Sequence, residues 1–176
     1  MKRSIWMYGV VVLLCCSAGI WFGLQRQSAV SPDQRAVSVL FSQVFSDRQG
    51  QPQGLAQWRG KLLLVNFWAT WCAPCVQEMP ELSALQTQLG NGRLQIIGIG
   101  IDTPSAINEF VTKLPVSYPI YVGGMSATDL SRQLGDTVGG LPFTVLIDAS
   151  GHIVQRYRGR LKMAALQSDI ASISTK

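Results

Sequence analysis

Three observations point to an α/β fold: a central mixed sheet with helices on both faces, behind one N-terminal transmembrane helix. Short runs of β-branched and other apolar residues alternate with segments of helical period, the pattern of a layered sheet. The chain closes with a β-hairpin and a last amphipathic helix. A 20-residue stretch without a charge, Ile5 to Leu24, follows Lys2 and Arg3.

That uncharged stretch is the first element. Twenty helical residues reach about 30 Å, the thickness of a bilayer's hydrocarbon core. Trp6, Tyr8 and Trp21 lie near its two ends, where aromatic rings favour the headgroup region. Lys2 and Arg3 belong in the cytoplasm by the positive-inside rule, which puts the rest of the chain outside. The competing reading is a cleaved signal peptide with Cys16–Ser17–Ala18 as its cleavage site, although Ile20, Trp21 and Phe22 continue the apolar run past it. A lipid-modified Cys15 or Cys16 fits less well, because neither has two small residues before it. Both are simplest as apolar residues of the helix. Residues 1–25 are therefore read as the anchor, 26–35 as a polar tether containing Pro32, and 36–176 as the folded domain.

Ala36–Phe45 reads as β-prone, with Val37, Val39, Phe41 and Phe45, and Ser46–Gly54 as turn-rich. Lys61–Trp68 holds the run Leu62–Val65 and reads as a buried central strand. Pro74 to Gly90 reads as a helix, since Val76, Met79, Leu82, Leu85 and Leu89 recur at helical spacing; Pro80 should kink it and Gly90 stop it. Leu94–Ile101 is a second buried strand. Thr103 and Pro104 read as N-cap and first residue of a helix to about Leu114. Tyr118–Val122 is a short strand, and Ser126–Leu134 a short helix ending at Gly135. Phe143–Asp148 and Ile153–Tyr157 form a hairpin about the Ala149–His152 turn, and Leu161–Ile173 is the last helix.

Composition narrows the function. From Arg26 onward there are 13 Lys or Arg against 10 Asp or Glu, about +3, with no basic cluster. So small a surplus argues against a nucleic-acid partner. The single histidine, His152, removes histidine-rich metal sites and leaves little room for a Ser–His–Asp triad. It reads as a solvated turn residue. Arg156, Arg158 and Arg160 alternate and read as a solvated strand edge.

The chemistry concentrates in Trp71–Cys72–Ala73–Pro74–Cys75, where a strand ends and a helix begins. Free N–H groups and the positive end of the helix dipole favour thiolate over thiol there. Thiolate is the nucleophile of disulfide exchange. Cys72 reads as the exposed attacker and Cys75 as the buried resolving thiol. A zinc half-site would need two more ligands, and the soluble part holds no second CxxC. A structural disulfide closing so small a loop would constrain the unfolded chain little.

Val65–Asn66–Phe67–Trp68–Ala69–Thr70–Trp71–Cys72–Ala73–Pro74–Cys75 resembles the active-site segment of the thioredoxin superfamily. It is most similar to the membrane-tethered TlpA/ResA-like branch, which includes cytochrome c maturation thioredoxins. The likeness extends over about Ala36 to Ile173. Gly140–Leu141–Pro142–Phe143–Thr144 matches the second signature, which implies a cis Leu141–Pro142 bond beside the cysteines and substrate pairing with the Leu141 backbone. The resemblance implies a thioredoxin-like fold, a redox-active Cys72–Cys75 disulfide and no cofactor or metal. Glu78, one turn after Cys75, would tune the thiols and move protons; otherwise it is a solvated helix carboxylate. Asn66 departs from cytoplasmic thioredoxin, which often has a buried aspartate there, so proton handling passes to Glu78 or water. Ala73 and Pro74 complete the site, Trp71 shields the pair and contacts substrate, and Trp68 reads as core.

The expected activity is reduction of protein disulfides such as those of apocytochrome c, by a monomer in the bacterial cytoplasmic membrane. Its domain would lie on the periplasmic side, with electrons from a membrane donor of thiol-reductase type. Two alternatives stand beside it. One is an oxidant that inserts disulfides, disfavoured because Ala73–Pro74 lacks a thiolate-stabilising histidine. The other is a copper metallochaperone using Cys72 and Cys75. A peroxiredoxin-type peroxidase needs threonine where Ala69 stands.

Overall fold

Strand β3 (Leu63–Trp68) is buried along its whole length, which only a central strand covered on both faces allows. The computed structural model describes residue 16 and residues 30–174. The anchor expected over residues 1–25 lies outside them except for Cys16. Among the described residues no helix is long and apolar enough to cross a membrane.

The other strands are β1 (Val44–Ser46), β2 (Pro52–Gly54), β4 (Gln95–Gly100), β5 (Ile120–Val122), β6 (Phe143–Ile147) and β7 (Ile153–Arg158). They form one mixed sheet in the order β2-β1-β5-β4-β3-β6-β7. β3, β4 and β5 are parallel neighbours, while β6 and β7 run antiparallel to complete one side. The helices are α1 (Pro32–Ser42), α2 (Ala73–Leu89), α3 (Pro104–Lys113), α4 (Ser126–Gln133) and α5 (Met163–Ser174). The crossovers β3–α2–β4 and β4–α3–β5 step the same way across the sheet. Crossovers of one hand therefore put α2 and α3 on the same face.

The period of two along each strand sorts the core into two layers. Leu63, Val65, Phe67, Phe143 and Val145 pack with α1 and α4. Leu64, Trp68, Ile96 and Leu146 pack with α2, α3 and α5. Both layers are built within the unit Pro32–Lys176, so that unit carries the apolar interior it needs to fold by itself.

The expected strand over Ala36–Phe45 is corrected: Pro32–Ser42 is helical, so part of the stretch read as tether is helix as well. Pro32 fits a first helical turn, Asp33 is favourable at the positive helix end, and the buried residues Ala36, Val37, Leu40 and Phe41 fall at helical spacing. Only Val44–Ser46 is strand, paired with Pro52–Gly54 in a hairpin inside the stretch read as turn. Pro80 removes one donor from α2 but does not end it. Thr103 caps α3 as expected, its hydroxyl accepting from Ala106 N at 3.3 Å.

The arginines read as a solvated edge do fall there, with Arg158 and Arg160 exposed, and two of them also have hydrogen-bond partners within the fold. β7 is an edge strand, yet Arg156 donates through Nε to Leu134 O at 2.7 Å and pairs with Asp33 at 2.6 Å. Arg158 donates to Gly135 O at 2.7 Å. These carbonyls close α4, where unpaired acceptors and the helix dipole attract cations. Arg160 lies beyond β7, 3.5 Å from Glu81.

Candidate active site

β3 ends at Trp68, whose indole is buried against Phe110 with ring centroids 5.4 Å apart. The chain then turns, with Cys72 N donating to Ala69 O at 3.2 Å, and α2 begins. Cys72 is the N-cap of α2, and its Sγ accepts from Cys75 N at 3.3 Å. Pro74, near the helix start, has no N–H, and none is needed in the first turn. Cys72 and Cys75 form a disulfide with an S–S distance of 2.01 Å. Cys75 is fully enclosed, whereas Cys72 keeps 5% of its surface and lines a groove.

The groove has a volume of about 810 Å³ and runs between the CxxC turn, the start of α3 and α4. Trp71, Cys72, Pro74, Met125, Thr128 and Leu141 line it. Trp71 is 71% exposed and Met125 79%, and Val138, beside the lining residue Gly139, is 78% exposed. Three large apolar side chains thus stand in water around the one cysteine of the pair that reaches the groove. Apolar side chains exposed about one groove are suited to docking a partner chain.

The wall opposite the cysteines is the loop before β6. The Leu141–Pro142 bond is cis. Register places it: Phe67 pairs with Phe143, so Pro142 falls at the end of β3, where the cysteine turn starts. Pro142 O accepts from Gly159 N at 2.9 Å. Asp136, buried, holds the loop by accepting from Gly139 N and Gly140 N at 3.0 and 3.3 Å. Asp102, at the end of β4, accepts from the Thr70 hydroxyl and from Thr103 N at 2.7 Å. The sequence reading missed both aspartates. For Asp136 the signal was an acid three and four residues before Gly139–Gly140, the spacing at which a side chain caps backbone N–H groups.

Behind the disulfide lies a buried polar set. Glu78 is fully enclosed rather than solvated. Asn66 Nδ2 donates to its Oε1 at 2.8 Å, and Leu161 N donates to its Oε2 at 2.9 Å. Asn66 Nδ2 also donates to Thr144 Oγ1 at 3.0 Å. Burial pushes the Glu78 carboxyl above its ordinary value, against the lowering pull of the Leu161 N–H, the Asn66 amide and the nearby Arg160 charge. A carboxyl of raised pKa one helical turn from an enclosed cysteine is placed to accept and return a proton.

The structure thus brings Asn66, Cys72, Ala73, Pro74, Cys75, Glu78, Leu141 and Pro142 to one end of the sheet, with Trp71 on the rim. His152 stays apart in the β6–β7 turn, its Nδ1 3.5 Å from Asp148. Among the described residues no group of three or more His, Cys, Asp or Glu could hold a metal ion.

Residues 32–171 match the Redoxin family. A thiol–disulfide oxidoreductase named ResA from Bacillus thuringiensis (strain Al Hakam) is 28% identical over 178 aligned residues, covering 99% of each chain. The protein of the same name from Halalkalibacterium halodurans is 30% identical over 165 residues, covering 90% of this chain and 88% of that one. Among solved structures, a thioredoxin-related protein from Neisseria meningitidis serogroup B superposes with a TM-score of 0.67 at 32% identity, covering 76% of this chain and 100% of that one. The fold is thioredoxin-like.

Proposed function

This chain belongs to the Redoxin family, and from that premise we propose that it reduces protein disulfides on the outer side of the bacterial cytoplasmic membrane. It is a thiol–disulfide oxidoreductase of ResA type. The observation that carries the reading is the asymmetry of the pair: Cys72 alone meets the groove, and Cys75 is enclosed beside a buried carboxylate.

The steps follow from that asymmetry. In the reduced protein the Cys72 thiolate, favoured by the α2 N-terminus, attacks one sulfur of the substrate cystine. A Cys72–substrate disulfide forms, and the second substrate sulfur leaves as a thiolate that takes a proton from water. Cys75 then gives its proton to Glu78, keeps the electron pair, and attacks Cys72 Sγ. The mixed disulfide breaks, the Cys72–Cys75 disulfide closes, and the first substrate sulfur leaves. Glu78 returns its proton to that thiolate or to solvent. Two electrons have passed to the substrate. A membrane donor of thiol-reductase type restores the pair, and the uncharged run Ile5–Leu24 would hold the domain beside it as an uncleaved anchor. Trp71 and the Leu141 backbone, both at the groove, receive the substrate chain. Apocytochrome c before haem attachment is the substrate implied by likeness to the ResA branch, and the enzyme acts as a monomer. The reducing direction is supported by Ala73–Pro74, which offers the Cys72 thiolate no imidazole partner.

The test is the reduction potential of the domain in thiol–disulfide buffers, read by the fluorescence of Trp68 and Trp71. A value near about −270 mV is expected, and one at or above about −180 mV would mean disulfide insertion or isomerisation instead. A pair that never forms a reversible disulfide ends the redox reading.

A further inference from the structure

We propose that Asn66 is a positioning residue that serves both protonation states of Glu78 by turning its side-chain amide over. The inference rests on the reading of Glu78 as the proton acceptor of Cys75.

One nitrogen of Asn66 makes both of its contacts. Nδ2 stands 2.8 Å from Glu78 Oε1 and 3.0 Å from Thr144 Oγ1. Asn66 Oδ1, at the other end of the amide, is buried with no hydrogen-bond partner. The amide is therefore held in its orientation only by the two acceptors that Nδ2 faces. That pattern suits an ionised Glu78, whose two oxygens each receive an N–H, from Asn66 and from Leu161.

A protonated Glu78 needs an acceptor for its O–H. Leu161 N is a backbone donor and cannot supply one. Rotating the Asn66 amide by half a turn brings Oδ1 to the place of Nδ2, within hydrogen-bond reach of Glu78 Oε1. Thr144 Oγ1 donates as readily as it accepts, so its hydroxyl then turns to donate to Oδ1. No backbone atom has to move, and one end of the amide lacks a partner in either orientation. Aspartate at 66 could donate to the ionised form only by holding a proton of its own, and an apolar residue could serve neither. In a fully enclosed site, an O–H or N–H facing the wrong partner carries the whole desolvation penalty.

The charged and titratable neighbours of Glu78 leave this role to Asn66. Arg160 from the β7–α5 loop and Glu81 on α2 act on Glu78 through their charges alone, Arg160 lowering its pKa and Glu81 raising it. Cys72 and Cys75 lie on its own helix. Tyr118, from the segment before β5, is held in its protonated form by burial and by the Glu78 charge, and its hydroxyl has no partner. None of them hydrogen-bonds to the Glu78 carboxyl.

The test uses the oxidised Pro32–Lys176 unit, labelled with 15N and 13C. The Glu78 carboxyl carbon reports protonation, and nuclear Overhauser contacts of the Asn66 amide protons report orientation. At high pH these protons should show contacts to Thr144. The contacts should be lost over the same pH range in which Glu78 gains its proton. Glu78→Gln imitates the protonated form, because its Nε2 needs an acceptor once its oxygen faces Leu161 N. That variant should therefore show the low-pH pattern at every pH. An unchanged Asn66 pattern through the Glu78 titration would overturn the proposal, as would a wild-type high-pH pattern in Glu78→Gln. No thiol reacts in this experiment, so its failure leaves the redox reading standing. Conversely, a Cys72–Cys75 pair that cannot be cycled would end the redox reading and leave the amide result as it is.

Discussion

Replacing Asn66 with leucine keeps a side chain of similar size in β3 and removes both hydrogen bonds that its amide makes. The Glu78 contact at 2.8 Å is charge-assisted when the carboxyl is ionised, and the Thr144 contact at 3.0 Å is neutral. A bond to a charged group contributes about 1.5–3 kcal/mol and a neutral one about 0.5–1.5 kcal/mol, so the loss should be about 2–4 kcal/mol with Glu78 ionised. The sign of its pH dependence follows from linkage. Burial already holds the Glu78 carboxyl above the value of 4.5 that it has in the unfolded chain, and the Asn66 bond is one of the influences pulling it down. Without that bond the folded pKa rises further. Between the unfolded and folded values the native state binds the extra proton, so stability falls as pH rises through that window. Below 4.5 the carboxyl is protonated in both states, both bonds of the amide are neutral, and the loss is correspondingly smaller. Urea unfolding of the oxidised domain at about pH 8 and about pH 4 reads the difference. With a slope of about 2 kcal/mol per molar urea, the midpoint should drop by about 1–2 M at the higher pH and by clearly less at the lower. Equal drops at both pH values, or a loss under about 0.5 kcal/mol at the higher, would refute the reasoning.

Two further outcomes test the site. Cys75→Ser should leave substrate covalently attached to Cys72, because no resolving thiol remains; mass spectrometry should find the adduct, and its absence would move the attack away from Cys72. Met125→Ser removes an exposed apolar side chain from the groove without touching either sulfur. It should raise KM for a protein substrate about 3–10-fold, a loss of about 1 kcal/mol of binding, and leave the reduction potential unchanged. An unchanged KM would take the groove out of substrate docking.

Most of the fold was legible because its strands are continuous apolar runs and its helices carry local start signals. Leu94–Ile101 could hardly be anything but a buried strand, and Thr103–Pro104 announced α3 through cap chemistry that the structure contains. The error at Ala36–Phe45 has a physical source. Val37, Val39 and Phe41 alternate as a strand would, but Val39 is only half-buried while Leu40 is fully enclosed, and the spacing of Ala36, Val37, Leu40 and Phe41 is helical. Tertiary burial of that stripe outweighed the β preference of valine. At the site, the cysteines and Pro142 were legible because their chemistry is written in adjacent residues. The burial of Glu78 was not, since it depends on Asn66 twelve residues before it and on Leu161 in a loop far along the chain. Pairings of that range carry no local pattern. The partners of Arg156 and Arg158 were hidden for the same reason, being carbonyls of another element.

The buried polar set has a second consequence, for strand register. Asn66 and Thr144 sit directly opposite each other across β3 and β6, on the face covered by α2. A one-residue slip of β6 would turn Thr144 to the opposite layer and set an apolar neighbour, Phe143 or Val145, against the Asn66 amide. The amide would lose one of its two acceptors inside a dry core, a penalty of about 1–3 kcal/mol on top of the misplaced apolar side chains. The correct register is also what sets Pro142 at the end of β3, against the turn that carries Cys72. Apolar alternation alone discriminates poorly here, because β3 and β6 are buried on both faces and a slipped strand would still bury apolar side chains. A polar pair can decide where apolar ones cannot. Residues that would orient the proton acceptor of Cys75 thus also favour the strand pairing that assembles the site.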